Sequence, residues 1–137
     1  MEKITIDQPF EMDIHVRPED IDKLGHVNNV IYLKWVQDVA TSHWNAASPN
    51  GHNPTSVIWV VIQHEIRYKQ PTYLGDVVTA RTWIGKAKRR FFERNTELLR
   101  KSDGTLLAKA ITLWTPVDKE TGKSVAIGED VLAMFEK

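Results

Sequence analysis

The 137-residue sequence contains no cysteine. Disulfide bridges, thiol nucleophiles and thiolate metal ligands are therefore excluded. A basic segment followed by an apolar one, the pattern of a secretory signal, is missing from the N-terminus. No apolar run approaches the ~20 residues that a membrane-spanning helix requires. These absences predict a cytoplasmic protein that has no membrane as partner.

An excess of charge of one sign is also missing, because 18 basic residues balance 18 acidic ones. A neutral chain has no overall field that attracts nucleic acid or anionic lipid, so we expect no nucleic-acid partner. Four of the histidines show no paired metal-ligand spacing, and we expect no bound metal. These histidines are His15, His43, His52 and His64.

Apolar residues make up 42% of the chain, which is enough for one core, and the length is that of a single domain over residues 1–137. Apolar and polar residues alternate over 10–17, which predicts a half-buried strand ended by Pro18. From Asn29 to about Trp44, polar residues recur at helical spacing in an otherwise apolar segment. This pattern predicts a helix buried on most of its circumference, with Asn28 or Asn29 as its N-cap.

The second half of the chain favours strands. The continuous apolar run at 57–62 predicts a strand buried on both faces that continues to Tyr68. Residues 86–100 favour helix by propensity, but Gly85 before them and a turn signal at 102–104 after them indicate a strand. Other predicted elements are strands at 77–84 and 105–115, a loop at 49–54, turns at 116–118 and 121–122, and a terminal helix at 129–136.

The predicted order is one strand, a long helix and four strands joined mainly by short turns. A helix that is apolar on most of its surface must be covered by the sheet. The fold class is therefore α+β, with a long central helix wrapped by an antiparallel β-sheet. This is the arrangement of the hotdog fold.

The segment before the helix is the best candidate for chemistry. It brings together Asp22, Gly25, His26 and the amides of Asn28 and Asn29. A carboxylate at Asp22 can act as base or nucleophile, and backbone N–H groups at the start of a helix can hold a developing oxyanion. A loop carboxylate beside ordinary helix caps would explain the same residues. Both interpretations stay open on residue chemistry alone.

A family resemblance favours the catalytic interpretation. The segment resembles the signature of the 4-hydroxybenzoyl-CoA thioesterase-like acyl-CoA thioesterases, and it is similar to the His-Val-Asn-Asn element of plant acyl-ACP thioesterases. Residues 65–71 with Gly75 and Asp76 look like the second strand and following turn of the family, so the resemblance covers about 7–136. The residues that carry the signature are Asp20, Asp22, Gly25, His26, Val27, Asn28, Asn29 and Tyr32.

The resemblance implies roles for three residues. Asp22 matches the catalytic carboxylate of the bacterial enzymes and would attack the thioester carbonyl or activate a water. Asn29 matches the position whose backbone N–H polarises the carbonyl oxygen. His26 matches the histidine of the plant enzymes and would orient water or hydrogen-bond the carbonyl or the Asp22 carboxylate. Leu24 stands where those plant enzymes carry a catalytic asparagine, so the bacterial, aspartate-dependent mechanism is the better match.

The resemblance also implies a homodimer or homotetramer with each active site between subunits. We expect an acyl-CoA or acyl-ACP thioesterase that needs no cofactor beyond the coenzyme A of its substrate. A non-catalytic acyl-CoA-binding module and a hotdog dehydratase or hydratase are the alternatives. The shape of a pocket built from two chains cannot be read from one sequence, so the sequence does not predict the length or the aromatic character of the acyl group.

A basic cluster and two tryptophans are further candidates for substrate binding. Lys88, Arg89 and Arg90, with Lys86 nearby, would meet the anionic nucleotide end of coenzyme A, although a solvated strand and turn would have the same composition. Trp35 or Trp44 on the helix would line an acyl pocket or simply belong to the core.

Overall fold

One long helix and five strands make up the regular structure of the computed structural model, which describes residues 9–47 and 57–129. The elements are β1 (Phe10–His15), a 3-10 turn (Pro18–Asp20), α1 (Asn29–Ala47), β2 (Val57–Tyr68), β3 (Val77–Ala87), β4 (Phe92–Arg100) and β5 (Leu106–Asp118). None of the helices in these ranges is long and apolar enough to cross a membrane. The loop predicted at 49–54 lies outside the described residues, as does the helix predicted at 129–136 after its first residue.

The strands form one antiparallel sheet in the order β1-β3-β4-β5-β2, and α1 packs against one face of it. Five polar residues carry the helical spacing on α1, and four of them are exposed while Asp38 is half-buried. The exposed four are Lys34, Gln37, Thr41 and Asn45. The buried face includes Tyr32, Trp35, Val36, Val39, Ala40 and His43. The predicted order of one strand, one helix and four strands is confirmed over the described ranges.

Several predicted boundaries differ from the structure. The single strand predicted over 86–100 is wrong in its first part, because residues 86–87 belong to β3 and β4 begins only at Phe92. The helix runs three residues further, to Ala47, and β3 continues through Gly85 to Ala87 before the chain turns at 88–91. The turn predicted at 116–118 is wrong, because β5 continues through Pro116, which pairs with Trp59 of β2. β4 begins at Phe92, opposite Trp114, so β5 has no β4 residue beside it at Pro116 and tolerates a residue without an N–H there.

β2 is the edge strand next to β5. The prediction that residues 57–62 are buried on both faces is wrong for the single chain, since Ile58 is 45% exposed and Ile62 is 55% exposed. The register of β2 against β5 shifts between Val61 and Gln63, which places Ile62 in a bulge. An edge with exposed isoleucines and unpaired backbone groups is a template for another strand. The apolar run of β2 is therefore only partly buried in the single chain.

The core is divided into two apolar clusters along α1. One cluster surrounds Tyr32, Trp35 and Val39 near the start of the helix, and the other joins Ala47 to Ile84 and Phe92 near its end. Between them lies a buried polar layer, which we define as Thr82, Arg94, Thr112 and His64 on the sheet with His43 on the helix. A layer of this kind is costly to bury and needs internal partners.

Candidate active site

The acidic segment before α1 folds as a short hairpin, defined here as the acid loop (residues 20–28). The backbone N–H of Asn28 donates to the carbonyl of Asp20 (2.9 Å), and that of Asp22 donates to the carbonyl of His26 (2.9 Å). The tip is closed by the N–H of Gly25, which donates to the carbonyl of Asp22 (3.1 Å). Gly25 has φ +90°, a conformation that favours glycine. The signature glycine is thus explained by the turn that brings Asp22 back towards the helix.

The Asp22 carboxylate is held by one of its two oxygens. Oδ1 accepts the backbone N–H of Leu24 (2.8 Å), and no described residue donates to Oδ2. The side chain is 25% exposed, so water or a ligand can reach it. The Nδ1 atom of His26 lies 4.0 Å from Oδ1 and 3.3 Å from the carbonyl of Val27. The predicted direct hydrogen bond between His26 and Asp22, one of three alternatives, is not formed.

The first turn of α1 leaves the backbone N–H of Asn29 available as a hydrogen-bond donor. Asn28 is the N-cap: its Oδ1 accepts the N–H of Val30 (2.9 Å), and its carbonyl accepts the N–H of Ile31 (2.9 Å). The N–H of Asn29 has no acceptor within the described ranges, as expected for the first residue of a helix. The acid loop therefore ends at an open N–H with the positive end of the helix dipole behind it.

A buried clamp fixes the acid loop against the segment that follows β2. The backbone N–H of Val27 donates to the carbonyl of Thr72 (2.7 Å), and the Tyr32 hydroxyl donates to the carbonyl of Gln70 (3.0 Å). The Tyr68 hydroxyl reaches the carbonyl of Asn29 (3.4 Å). Burial raises the pKa of Tyr32, which keeps its hydroxyl protonated as a donor. Thr72 was missed by the sequence analysis, because no local pattern marks it.

An aromatic cavity, the second feature that the sequence did not reveal, lies at the other end of α1. It has a volume of about 460 Å³, and Trp44, Trp59, Phe92 and Trp114 form its walls. Arg94 of the polar layer also lines it. Trp44 is therefore placed where a pocket-lining residue would lie, whereas Trp35 is 3% exposed and stacks on Tyr32 in the core.

The acid loop and the aromatic cavity of one chain are far apart. At ~1.5 Å per residue, the helix from Asn29 to Trp44 spans ~22 Å. The basic cluster is also at the cavity end, because residues 88–91 form the turn before Phe92. Lys88 and Arg89 are exposed there, while Arg90 donates from Nη1 to the carbonyl of Ser124 (2.8 Å). One chain thus brings Asp22, His26 and Asn29 together but keeps the predicted substrate-binding residues apart from them.

Comparison with known proteins gives three findings on the family. A model of the thioesterase-like superfamily matches residues 16–135. The long-chain acyl-CoA thioesterase FadM of Escherichia coli is 22% identical over 132 residues, which cover 93% of this chain and 98% of FadM. The chloroplastic acyl-(acyl-carrier-protein) hydrolase of Cuphea viscosissima is 24% identical over 137 residues, covering 93% of this chain but only 33% of the plant protein.

A solved structure supplies the comparison of folds. A 4-hydroxybenzoyl CoA thioesterase mutant in complex with 4-hydroxybenzoyl CoA has a TM-score of 0.83 to this chain at 14% identity, covering 92% of this chain and 97% of the other. At this identity the likeness concerns the fold. The predicted hotdog fold is confirmed.

Proposed function

This chain belongs to the thioesterase-like superfamily, and from that membership we propose that it hydrolyses acyl thioesters of coenzyme A to a free acid and a thiol. The Asp22 carboxylate supplies or activates the oxygen nucleophile, and the Asn29 N–H binds the developing oxyanion. The Nδ1 atom of His26 lies 4.0 Å from the Asp22 carboxylate, and His26 orients a water that lies between its ring and this carboxylate. The observation that carries the proposal is the acid loop itself. It leaves Oδ2 of Asp22 and the backbone N–H of Asn29, at the start of the helix, without a hydrogen-bond partner among the described residues.

The chemistry requires little else, because a thioester is already a good acyl donor. In the general-base route, Asp22 takes a proton from water as the water oxygen bonds to the carbonyl carbon. The negative charge that moves to the carbonyl oxygen is held by the Asn29 N–H, a donor of a kind whose loss commonly costs ~3 kcal/mol of barrier. Collapse then breaks the C–S bond, and the proton passes from Asp22 to the departing thiolate.

In the nucleophilic route, Asp22 itself bonds to the carbonyl carbon. The C–S bond breaks to release the thiolate, which takes up a proton, and a water then hydrolyses the resulting mixed anhydride. The two routes differ in the fate of the Asp22 oxygens. Repeated turnover in ¹⁸O-labelled water places ¹⁸O in the Asp22 carboxylate only if the anhydride forms and water attacks its Asp22 carbonyl, and mass spectrometry of the peptide containing residue 22 detects the label.

The carrier is coenzyme A in this proposal, with acyl carrier protein as a second possibility that the plant relative suggests. FadM is named for acyl-CoA, and the structural neighbour is bound to a CoA ester. The exposed side chains of Lys88 and Arg89 beside the cavity suit the phosphates of a nucleotide. The first experiment is thiol release from a panel of acyl-CoA and acyl-ACP esters, short, long and aromatic. Release from none of them would favour a non-catalytic acyl-binding module.

Pairing of two copies along β2 would complete the site. β2 has its Tyr68 end at Asn29 and its Val57 end at the aromatic cavity. Antiparallel pairing of two β2 strands about their midpoints sets the Val57 end of one copy beside the Tyr68 end of the other. The cavity of each copy then meets the acid loop of its partner, and Ile58 and Ile62 gain cover. We propose a homodimer, alone or within a tetramer, in which the acyl group enters the partner's cavity.

Mixing two inactive variants tests this shared site. Asp22→Asn removes the carboxylate, and Thr41→Trp fills the cavity from its exposed rim. In a mixed dimer one site combines the intact Asp22 of one copy with the open cavity of the other. Co-expression should therefore restore roughly a quarter of wild-type turnover, since half of randomly assorted dimers are mixed and each has one complete site. No recovery in mixed dimers would show that the cavity and Asp22 do not cooperate across copies.

A further inference from the structure

The aromatic cavity is lined by hydrogen-bond donors that have no acceptor. Three buried side-chain nitrogens on its wall make no hydrogen bond to any residue that the structure describes, namely Nε of Arg94 and Nε1 of Trp59 and of Trp114. Buried donors in native proteins are nearly always paired, by protein, water or ligand. No aspartate or glutamate is among the described residues that line the cavity. The described lining of the cavity therefore offers these donors no carboxylate and offers Arg94 no counter-charge.

Arg94 is the most demanding of these groups. The residue is 2% exposed, and no carboxylate of the described residues lies within the 4.0 Å of an ion pair. Burial lowers its pKa to about 9, which still leaves the guanidinium charged at neutral pH. Leaving a buried charge without a counter-charge is strongly unfavourable, so the site is expected to receive an anion.

Within the described ranges, protein groups bond one edge of the Arg94 guanidinium, and these groups are neutral. Nη1 donates to Nδ1 of His43 (2.8 Å) and to Oγ1 of Thr82 (3.2 Å). The pKa of His43 is lowered to about 3, by burial first and then by the charge of Arg94, so the ring is neutral and Nδ1 accepts. Thr82 donates its own proton to the carbonyl of Asn95 (2.8 Å) and so also accepts.

The other edge of the guanidinium, Nε with Nη2, has no hydrogen bond to any described residue. Two parallel N–H groups on one edge of arginine match the two oxygens of a carboxylate. The aromatic walls around this edge suit a hydrocarbon spacer, and the volume of about 460 Å³ is within the range of small-molecule sites. Geometry and charge therefore select a ligand that is apolar along its length and carboxylated at its end.

We propose that the aromatic cavity binds the distal carboxylate of a dicarboxylic acyl thioester through Arg94, so that the substrate class is that of ω-carboxyacyl esters. This inference rests on the proposed function. The thioester carbonyl lies at the acid loop of one copy, and the far end of the acyl group reaches the cavity of its partner. A neutral acyl end would leave the three donors unpaired, and sites built to bond a polar group discriminate strongly against analogues that lack it.

Turnover of matched thioesters tests the specificity. Each pair contains an ω-carboxyacyl-CoA and the unsubstituted acyl-CoA with the same number of carbons, in a series from hexanedioyl to dodecanedioyl. For the best-fitting length, kcat/KM should favour the carboxylated ester by about 30-fold, as expected for a buried, hydrogen-bonded charge pair. Arg94→Gln should remove this preference, because it should lower kcat/KM for the carboxylated ester far more than for the unsubstituted ester. Arg94→Lys, which keeps the charge without the fork, should retain part of the preference.

Binding measured without turnover separates this inference from the proposed function. The tryptophan fluorescence of the wild-type protein is followed during titration with the monomethyl ester and with the dimethyl ester of the same diacid. The melting temperature of the wild-type protein with each ester gives a second comparison that does not depend on the folding of a variant. Selective binding of the monomethyl ester, abolished in Arg94→Gln, supports the carboxylate site even if no thioester is cleaved. Equal behaviour of both esters, together with equal turnover of the matched thioesters, would overturn it and leave the thioesterase proposal intact.

A control acid identifies the source of the carboxylate. The product of an unsubstituted ester also carries one carboxylate, and octanoate represents it. If octanoate binds through Arg94 while ω-carboxyacyl-CoA is cleaved no better than acyl-CoA, the cavity holds the product acid, and the proposed substrate class is wrong.

Discussion

The side-chain oxygens of Tyr32 and Thr72 lie 2.7 Å apart in the interior, joining the first turn of α1 to the segment after β2. Tyr32 is 2% exposed and Thr72 is fully buried. The carbonyl of Thr72 accepts the backbone N–H of Val27, at the end of the acid loop. The signature tyrosine is therefore a positioning residue that reaches the acid loop through Thr72.

Tyr32→Phe should lower the free energy of unfolding by about 1–3 kcal/mol, because it leaves the buried hydroxyl of Thr72 with one partner fewer. Chemical denaturation of both proteins measures the difference. Thr72→Val in the Tyr32→Phe background should recover part of the loss, since it removes the second hydroxyl as well. A single variant as stable as the wild type would show that the pair contributes nothing to the clamp.

Gly25→Ala should reduce turnover, whereas Gly104→Ala, a variant with similar backbone strain, should not. Gly25 has φ +90° and Gly104 has φ +73°, and an added Cβ meets no atom within 4 Å at either position. Both alanine variants should lose about 1–2 kcal/mol from backbone strain alone. Only Gly25 lies in the turn that places Asp22, so kcat should fall in Gly25→Ala and stay near wild type in Gly104→Ala. Equal kcat in the two variants would argue against a role for that turn.

The fold was predictable where local patterns record it. Alternation over 10–17, helical spacing after Asn29 and the turn at 102–104 each specify their element through nearby residues, and each is confirmed. The boundary at Pro116 was not predictable, because tolerance of a proline depends on whether a neighbouring strand lies opposite it. The apolar run of β2 indicated cover on both faces, and the single chain supplies only part of that cover.

The candidate site was predictable only in its contiguous part. The acid loop is one segment of sequence, so the relation of Asp22 to the start of α1 follows from the signature. Thr72, Trp59 and Arg94 are far from it in sequence and acquire their positions by strand pairing and burial. Arg94 in particular sits among the charged residues of β4 and has no sequence feature that marks it as buried.

Stability should fall as pH decreases from 6.5 towards 3, in part because of His43. Its pKa is lowered from 6.5 to about 3 by burial and by the charge of Arg94. In this range the unfolded chain binds a proton at His43 that the folded chain does not, so acid favours unfolding by up to ~1.4 kcal/mol per pH unit. Above pH 6.5 the ring is mostly neutral in both the folded and the unfolded chain, so His43 costs no stability there.

His43→Gln should make this dependence shallower, because glutamine can still accept from Arg94 but does not titrate. His15→Gln is the matched control, since it makes the same replacement at an exposed position on β1. The measurement is the free energy of unfolding at closely spaced pH values. Parallel curves for His43→Gln and wild type would contradict the assignment.

Combined replacement of Lys88 and Arg89 by alanine should raise KM for CoA esters while leaving KM for N-acetylcysteamine esters of the same acyl group unchanged. The short thioester lacks the nucleotide phosphates that these side chains would bind. Arg90 is left in place because it bonds the carbonyl of Ser124 and its loss would disturb the adjoining loop. Steady-state kinetics on both esters gives the comparison, and an equal change in both KM values would exclude nucleotide binding by this turn.

The most direct test is thiol release from acyl-CoA by Asp22→Asn beside Asp38→Asn. Asparagine at position 22 can still accept the N–H of Leu24, so the acid loop keeps its shape. Asp38 is a partly exposed carboxylate on α1 that pairs with Lys34. Asp38→Asn therefore removes the same charge as Asp22→Asn but does so outside the acid loop. Turnover should fall by about 10³-fold or more in Asp22→Asn and remain near wild type in Asp38→Asn. Full activity in Asp22→Asn, with both variants folded, would contradict the proposed role of this carboxylate.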